Sequence, residues 1–289
     1  MNNFSDFLQF FLGGLTSGAI YALIALGFCV VHNTMGIVNF VQVDFVTLGG
    51  MCLFSALFSL GLPMAAGLPL ALLLVALVAM LLERIGLRPA RSSDPLVLIF
   101  LTVGLSIILR GAISLIWGKN RMALPPLTPD RPIALLGATV LPQTLWILLL
   151  TLLAIGLLSL FFYRTSLGLA MRAVACNPTA AAVVGIAAGR VRLASYALAG
   201  ALGGLAGVLV TPITTLSYDV GVLLGLKGFA AAILGGFGSF PGAIVGGVGL
   251  GLLEAFSAGY LSSAYKDVVA FVVLLLVLAL RPQGLLGRH

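Results

Sequence analysis

The sequence predicts an all-α polytopic membrane protein with about eight or nine transmembrane helices. Of its 289 residues, 61% are hydrophobic and 8% are charged, whereas a soluble domain carries about 25% charged residues. The mean hydropathy is +1.21. Apolar runs of about 20 residues, long enough to cross the hydrocarbon core as helices, recur along the chain. We therefore expect one transmembrane domain over residues 1–289.

Apolar runs define the predicted spans in order. The first run is too long for the core of a signal peptide and follows no basic segment, so we interpret it as a span. Runs 35–59 and 222–240 contain polar residues or glycines that can break a helix, and we expect some spans to be broken or re-entrant. The runs cover 7–31, 35–59, 63–83, 95–117, 141–163, 194–213, 222–240, 242–262 and 266–281.

The basic residues indicate which loops face the cytoplasm. The net charge of +7 is explained by basic loops at one membrane face, without nucleic acid as a partner. Loop 118–140 carries three basic residues, whereas nine arginines fall on the opposite side of the predicted topology. The positive-inside rule then places the C-terminus in the cytoplasm. The N-terminus faces outside if 35–59 crosses completely, and inside if it is re-entrant. The nine are Arg84, Arg88, Arg91, Arg164, Arg172, Arg190, Arg192, Arg281 and Arg288.

The glycine-rich stretch from Ala232 to Gly251 is not a phosphate-binding loop, because it lacks the Gly-Lys-Ser/Thr of an ATPase motif. Glycines four residues apart line one face of a helix and let helix backbones approach closely in lipid. We expect this packing role for Gly238, Gly242 and Gly246, with Pro241 forming a turn. Gly200 and Gly204 repeat the pattern in span 194–213.

The loop from Arg164 to Leu193 is the longest on the basic side. Asn177 followed by Pro178 is a helix-start signal, with asparagine as the N-cap and proline in the first turn. The signal predicts a short helix from Thr179 to about Val184 that ends at Gly185. Taken alone, the residues allow either a docking element for a cytoplasmic partner or a solvated connector.

Polar residues inside apolar runs are candidates for function, because they are costly in hydrocarbon. Asn39, Gln42 and Asp44 form one cluster in run 35–59, where we expect a broken helix that Asn39 caps. The cluster either lines a translocation pathway or makes hydrogen bonds between helices. We expect Glu254 to pair or hydrogen-bond inside the bundle.

Two basic residues lie near the predicted outer ends of spans. Lys227 either extends towards the surface, pairs with Asp219 or faces an outer vestibule. Arg110 is expected to extend towards the membrane surface. The segments "NFVQVDFVTLGG" and "LKGFAAAILGG" are both polar-interrupted and end in Gly-Gly, which suggests an internal inverted repeat.

Several motifs carry a resemblance to a known family. They are "GLTSGAIYALIALGF", "GIVNFVQVDFVTLGG", "ERIGLRPAR", "LTVGLSIILRG", "SLGLAMRAVACNPTAAAVVGI" and the block from "LKGFAAAILGGFGSFPGAIVGG" to "RPQGLLGR". These motifs extend over nearly the whole chain. Through them the chain resembles the LivH-type permease subunits of branched-chain amino acid ABC transporters. After Asn-Phe, family members commonly have His-Gly and an acid; here the acid is kept as Asp44 and the His-Gly is missing.

The resemblance implies a subunit of an importer in the inner membrane for branched-chain amino acids or a related small amino acid or amide. Its implied partners are a second related permease subunit, two cytoplasmic ATPase subunits that bind ATP, a soluble substrate-binding protein and membrane lipid. No cofactor is expected in this chain. The loop 164–193 would couple to an ATPase subunit. The implied coupling residues are Arg172, Ala173, Asn177, Pro178, Ala181, Gly185 and Ile186.

Two other classes of function make different demands on the sequence. A stand-alone, ion-coupled secondary transporter would need coupling acids near the membrane midplane, and Asp44 and Glu254 are the candidates. An intramembrane enzyme would need a nucleophile and a base within reach of each other. With His32 and His289 as the histidines, and without metal-ligand spacing among the three cysteines, we expect neither a catalytic nor a metal site.

The translocation pathway is expected to involve Asn39, Gln42, Asp44, Lys227 and Glu254.

Overall fold

The computed structural model describes residues 3–90, 94–129, 131–135 and 137–287; Arg91, Arg288 and His289 lie outside them. The described part forms α-helices and one antiparallel hairpin, and π-helical turns extend α2 over Ser55–Ser59 and α3 over Glu83–Leu87. The elements are α1 (Asn3–Met35), α2 (Gln42–Phe54), α3 (Met64–Leu82), α4 (Pro95–Trp117), β1 (Ile133–Leu135), β2 (Ala138–Val140), α5 (Pro142–Arg164), α6 (Ser166–Cys176), α7 (Pro178–Val183), α8 (Ala188–Val210), α9 (Val220–Gly235), α10 (Phe240–Tyr260) and α11 (Lys266–Leu280).

Each predicted span corresponds to a helix, which confirms the all-α polytopic class. Within the described ranges, seven helices are long and apolar enough to cross a membrane: α1, α2 with its π turn, α3, α4, α5, α8 and α10. The other two predicted spans form α9 and α11, which have 16 and 15 residues. At about 1.5 Å per residue these two helices are shorter than the hydrocarbon core, which is about 30 Å thick.

The bundle has two distinguishable ends. The basic end carries the arginines of the loops after α3 and α5 and of the start of α8, and the hairpin end carries β1 and β2. The side chain of Gln9 exchanges two hydrogen bonds with the backbone of Thr139 in β2. At the other end of α1, the Asn33 amide donates to the Gly238 carbonyl at 2.9 Å. The N-terminus of α1 therefore lies at the hairpin end, on the same side as loop 118–140.

Helix α2 lies at the centre of the bundle. All its side chains from Gln42 to Leu53 are buried, and α8, α9, α3, α4 and α1 pack around it. Glycines make this close packing possible: Gly49 approaches the backbone of Gly204, and Gly207 approaches the Val46 carbonyl. Hydrocarbon gives helices no hydrophobic reason to associate, so close backbone contact and polar bonds hold them together.

Four of the five glycines predicted to pack helices lie at helix contacts. Gly200 lies against Ala79 and Val75 of α3, Gly204 also contacts Val75, and Gly242 and Gly246 lie against the backbone of Gly235 and Ala231 in α9. Gly238 does not lie on the helix face. It has φ +91° in the turn between α9 and α10, which is a conformation that favours glycine.

Pro241 lies inside α10, one residue after its start at Phe240, instead of forming the turn that the sequence predicted. It lies in the first helical turn, where a backbone N–H has no partner within the helix, so proline costs no hydrogen bond. The Ser239 side chain caps this turn by accepting a hydrogen bond from the Gly242 N–H at 3.2 Å. The turn therefore precedes Pro241, and Gly238 belongs to it.

Two glycines of α10 test the packing argument. A β-carbon at Gly246 would overlap the Ala231 carbonyl, whereas one at Gly249 meets no described atom within 4 Å. We expect Gly246→Ala to destabilise the fold by about 1–3 kcal/mol, because backbone has to move. Gly249→Ala should be neutral or stabilise by up to about 1 kcal/mol through helix propensity. Unfolding of the detergent-solubilised chain in SDS, followed by circular dichroism, measures both. Equal effects of the two variants would contradict close packing at Gly246.

Candidate functional site

The predicted break before α2 is present and leaves polar groups inside the bundle. Helix α1 ends at Met35, Gly36 has φ +68°, and the chain then runs back before α2 begins at Gln42. The amide end of the Gln42 side chain lies against Gly27, which is about 12 Å before the end of α1 along its axis. The central helix therefore begins within the membrane-spanning part of the bundle.

Side chains satisfy much of the backbone of the break. Asn39 does not cap α2 as expected, because Val41 is the N-cap residue and α2 has no side-chain cap. Asn39 instead accepts a hydrogen bond from the Val41 N–H at 3.3 Å, and the Thr102 hydroxyl of α4 accepts one from the Phe40 N–H at 3.1 Å. The Gln42 amide donates to the Ala199 carbonyl of α8 at 3.1 Å. Among the described residues, the Asn39 Nδ2 and the Gln42 Oε1 are buried without a hydrogen-bond partner. Buried polar atoms of native proteins nearly always have a hydrogen-bond partner, so these two atoms are sites where water, an ion or a ligand can bind.

Asp44 forms an ion pair with Arg110 and does not stand alone. The Arg110 Nε lies 3.0 Å from the Asp44 Oδ1, and the Ser106 hydroxyl donates to the other carboxylate oxygen. The Arg110 Nη2 also lies 3.2 Å from the Ser106 Oγ. Asp44 is fully buried, whereas 28% of the Arg110 side chain is exposed. We call Asp44, Ser106 and Arg110 the α2–α4 cluster.

This cluster corrects the expectation that Arg110 extends towards the membrane surface. Arg110 turns inward because a buried carboxylate is the stronger partner in an apolar medium. The sequence contained the signal for it. Thr102, Ser106 and Arg110 are four residues apart, so they share one face of α4. Thr102 bonds to Phe40 just before α2, and Ser106 and Arg110 bond to Asp44 within it.

A second charged group joins α1, α9, α10 and α11. The Lys227 Nζ lies 2.8 Å from the Glu254 carboxylate and 2.7 Å from that of Asp267. The Tyr21 hydroxyl donates to the other Glu254 oxygen at 2.7 Å. Glu254 therefore pairs inside the bundle, as the sequence suggested. We call Tyr21, Lys227, Glu254 and Asp267 the α9–α11 cluster.

Lys227 does not pair with Asp219, which was one of the alternatives. Asp219 accepts a hydrogen bond from Ser217 at 2.7 Å instead. The Lys227 side chain is 15% exposed, and the Asp267 side chain is 52% exposed. The five predicted pathway residues thus fall into two groups, and no hydrogen bond or ion pair between described atoms joins one group to the other.

A further buried carboxylate was missed by the sequence reasoning. Glu83 lies in the π-helical turn after α3 and is fully buried, with the Arg192 Nε of α8 at 3.5 Å. Neither Glu83 oxygen receives a hydrogen bond from a described residue, and the buried Tyr196 hydroxyl is also unpaired within that part. π-helical turns are frequent at functional sites, but a π turn cannot be recognised from an apolar sequence.

The short helix that the sequence predicted after Asn177 is present in the loop at the basic end as α7, whereas α6 before it was not predicted. Asn177 caps α7 by accepting a hydrogen bond from the Ala180 N–H at 2.9 Å, and Gly185 ends the segment with φ +85°. The Ile186 N–H donates to the Ala181 carbonyl, and the Asn177 N–H donates to the Ala173 carbonyl, both at 3.0 Å.

The coupling residues that the resemblance implies are not all exposed. Ala181 is buried against the bundle, with 3% of its surface exposed, whereas Val183 and Val184 are 83% and 75% exposed. Arg172 lies over the Tyr163 ring, 5.0 Å from its centre. The exposed apolar residues Val183 and Val184 are therefore the ones that another protein would contact first.

Comparison with known proteins gives a consistent result over the full length. Residues 10–278 match the family described as branched-chain amino acid transport system, permease component. The chain is 36% identical to the high-affinity branched-chain amino acid transport system permease protein LivH of Salmonella typhimurium, over 99% of this chain and 97% of that protein. It is 34% identical to the permease protein BraD of Pseudomonas aeruginosa, over 98% and 96%. It is 28% identical to a probable LivH of Methanocaldococcus jannaschii, over 95% and 91%.

The α2–α4 cluster makes an asymmetric prediction. Arg110→Gln leaves a fully buried carboxylate and should destabilise by about 3–5 kcal/mol, whereas Asp44→Asn leaves a guanidinium that partly reaches solvent and should cost less. The double variant should cost less than the sum of the two, with a coupling of about 1–3 kcal/mol. Unfolding in SDS-containing micelles measures all three.

Ser114→Ala is the control for this cycle. Ser114 is on α4 but bonds to the Gly111 carbonyl of its own helix. It should therefore change stability little. Additive effects of Arg110→Gln and Asp44→Asn would show that the ion pair does not hold α4 to α2.

Proposed function

The chain belongs to the family of permease components of branched-chain amino acid transport systems, and on that premise we propose that it carries branched-chain amino acids, or a related small amino acid or amide, across the inner membrane. As a permease it is not itself an enzyme. The observation that carries the substrate proposal is the 34–36% identity to permeases of this one substrate class over 98–99% of the chain.

The polar groups inside the bundle support a zwitterionic substrate. An amino acid carries a carboxylate and an ammonium group, and both need partners in a low-dielectric pathway. The α2–α4 cluster has a partly exposed guanidinium beside a carboxylate, and the α9–α11 cluster has a partly exposed ammonium beside two carboxylates. Buried atoms of Asn39 and Gln42 without a described partner lie at the break before α2. We assign these residues to the pathway.

We propose that ATP hydrolysis in partner subunits drives the transport. In this proposal the chain acts as one permease domain beside a second, related permease subunit. Two ATPase subunits bind at the basic end, which faces the cytoplasm together with the C-terminus. A soluble binding protein delivers the substrate at the hairpin end. The loop 164–193 supports the docking role, because it holds a capped helix with exposed valines at the basic end.

The charge pairing supports this mechanism over an ion-coupled transporter. A coupling acid has to load and release its ion during each cycle. Asp44 is bonded to Ser106 and Arg110, and Glu254 to Tyr21 and Lys227. Both candidate acids are thus already neutralised by a cation.

Transport in proteoliposomes tests the proposal. The chain is reconstituted with candidate ATPase subunits, a candidate second permease and a candidate binding protein. Uptake of radiolabelled leucine is then followed with and without internal ATP. We expect uptake that requires both ATP and the binding protein. Uptake that follows a sodium or proton gradient without the ATPases would overturn the mechanism. ATP-dependent uptake of amides with none of leucine would overturn the assigned substrate.

The docking loop makes a separate prediction. Val183→Asp combined with Val184→Asp places charges on the exposed apolar face of the loop, and should lower substrate-stimulated ATPase activity by at least about tenfold. The matched control, Val183→Ile with Val184→Ile, keeps the surface apolar and should retain the activity. Normal stimulation in the aspartate variant would remove this face from the ATPase contact.

A further inference from the structure

A cavity of about 290 Å³ lies between α2, α3 and α4 in the half of the bundle nearest the hairpin end. Helices α3 and α4 each pack on the α2 segment but make little contact with each other. Leu48 and Ala56 of α2 form the floor, Val78 lies on the α3 side, and Ile113 and Trp117 lie on the α4 side. The cavity is separate from both charged clusters.

The cavity opens sideways, in the direction of the bilayer. Residues at its mouth are apolar and strongly exposed: Leu60 by 64%, Leu74 by 39% and Ile116 by 69%. The outward faces of α3 and α4 continue this surface with leucine, isoleucine and phenylalanine side chains. In a membrane, this mouth meets lipid chains.

The lining does not suit the transported amino acid. Ser55 supplies the hydroxyl group of the described lining, and that oxygen already accepts a hydrogen bond from the Trp117 Nε1 at 2.7 Å. A carboxylate or ammonium group inside would have no partner and would lose its hydration. A hydrocarbon chain has no hydration to lose there, and it gains dispersion contacts on three sides.

Basic residues follow directly at the end of the cavity nearest the membrane surface. Trp117 ends α4, and Gly118 turns the chain away with φ +79°. Lys119 and Arg121 come next; both are exposed, and neither forms an ion pair with a described residue. Tryptophan favours the level of the lipid headgroups, and cations just beyond that level attract lipid phosphates.

We propose that this cavity binds one acyl chain of an anionic phospholipid whose phosphate group contacts Lys119 and Arg121. The bound chain fills the space between α3 and α4. It therefore supports the buried face of α4 through Leu109 and Ile113, nearer the hairpin end than most of the polar stripe of Thr102, Ser106 and Arg110. The lipid fixes the distance between α3 and α4 at the hairpin end, where protein contacts leave it open.

Tryptophan fluorescence tests the proposal, because the chain has two tryptophans and one of them lines the cavity. The Trp146→Phe variant keeps Trp117 as its single reporter and is reconstituted in phosphatidylcholine vesicles. Brominated phosphatidylglycerol or brominated phosphatidylcholine is then added at equal mole fractions. We expect phosphatidylglycerol to quench Trp117 with an apparent affinity about fivefold higher or more. The Trp117→Phe chain, which reports from Trp146, should show no such preference.

Two further variants separate the headgroup from the acyl chain. Lys119→Gln with Arg121→Gln should abolish the preference and leave quenching by phosphatidylcholine unchanged. Ala112→Phe adds a ring to the cavity lining and should reduce quenching by both lipids. Equal quenching by the two lipids in the single-tryptophan chain would show ordinary boundary lipid and overturn the site. Weak quenching by both would show that protein, such as a second copy of the chain, covers the cavity. A preference that survives loss of both cations would overturn the headgroup contact.

Discussion

Hydrocarbon cannot hydrogen-bond, so every polar group that the protein brings into the membrane has to find its partner within the protein. This constraint explains the surroundings of α2. The chain breaks at Gly36 and restarts inside the bundle, which frees backbone groups that an unbroken helix would pair. Asn39 and Thr102 take up two of them, and Gln42 extends to the Ala199 carbonyl of α8. The break is stable because Asn39 within it and the helices α4 and α8 each supply part of its hydrogen bonding.

The same constraint determines how α4 is held. Its outward face is apolar and exposed, and its packing against the core is limited to one narrow stripe. That stripe carries Thr102, Ser106 and Arg110. Thr102 bonds to Phe40 just before α2, and the other two bond to Asp44. Helices without a hydrophobic drive to associate rely on such polar bonds and on small residues that allow close contact. Around α8 and α10 glycines serve this purpose, whereas α4 is held by a polar stripe, and that difference leaves room for the cavity beside it.

The sequence predicted features that depend on local pattern. Span positions follow from apolar length, and the short helix after Asn177 follows from its cap and from Gly185. What could not be predicted depends on how helices rotate and meet. Lys227 pairs with Asp267, 40 residues away, because α11 packs against α9 and α10, and no pattern encodes that contact. Arg110 was assigned to the surface because position along a span is visible in sequence and the facing helix is not. Gly238 fits a spacing of four but lies in a turn that the Ser239 cap creates.

Helix α8 links the two regions to which function is assigned. Its N-terminal end follows α7 and the exposed valines of the docking loop, and Arg192 in its second turn lies next to the buried Glu83 of α3. Two turns further on, its Ala199 carbonyl holds Gln42, and Gly203 and Gly207 lie against α2. A packed helix transmits displacement along its length, since close-packed interiors are not easily deformed. In the proposed transporter, a shift of the loop 164–193 on ATP binding therefore moves α8. Through the Gln42 bond and the glycine contacts, that movement acts on the start of α2, where the polar atoms of the pathway are.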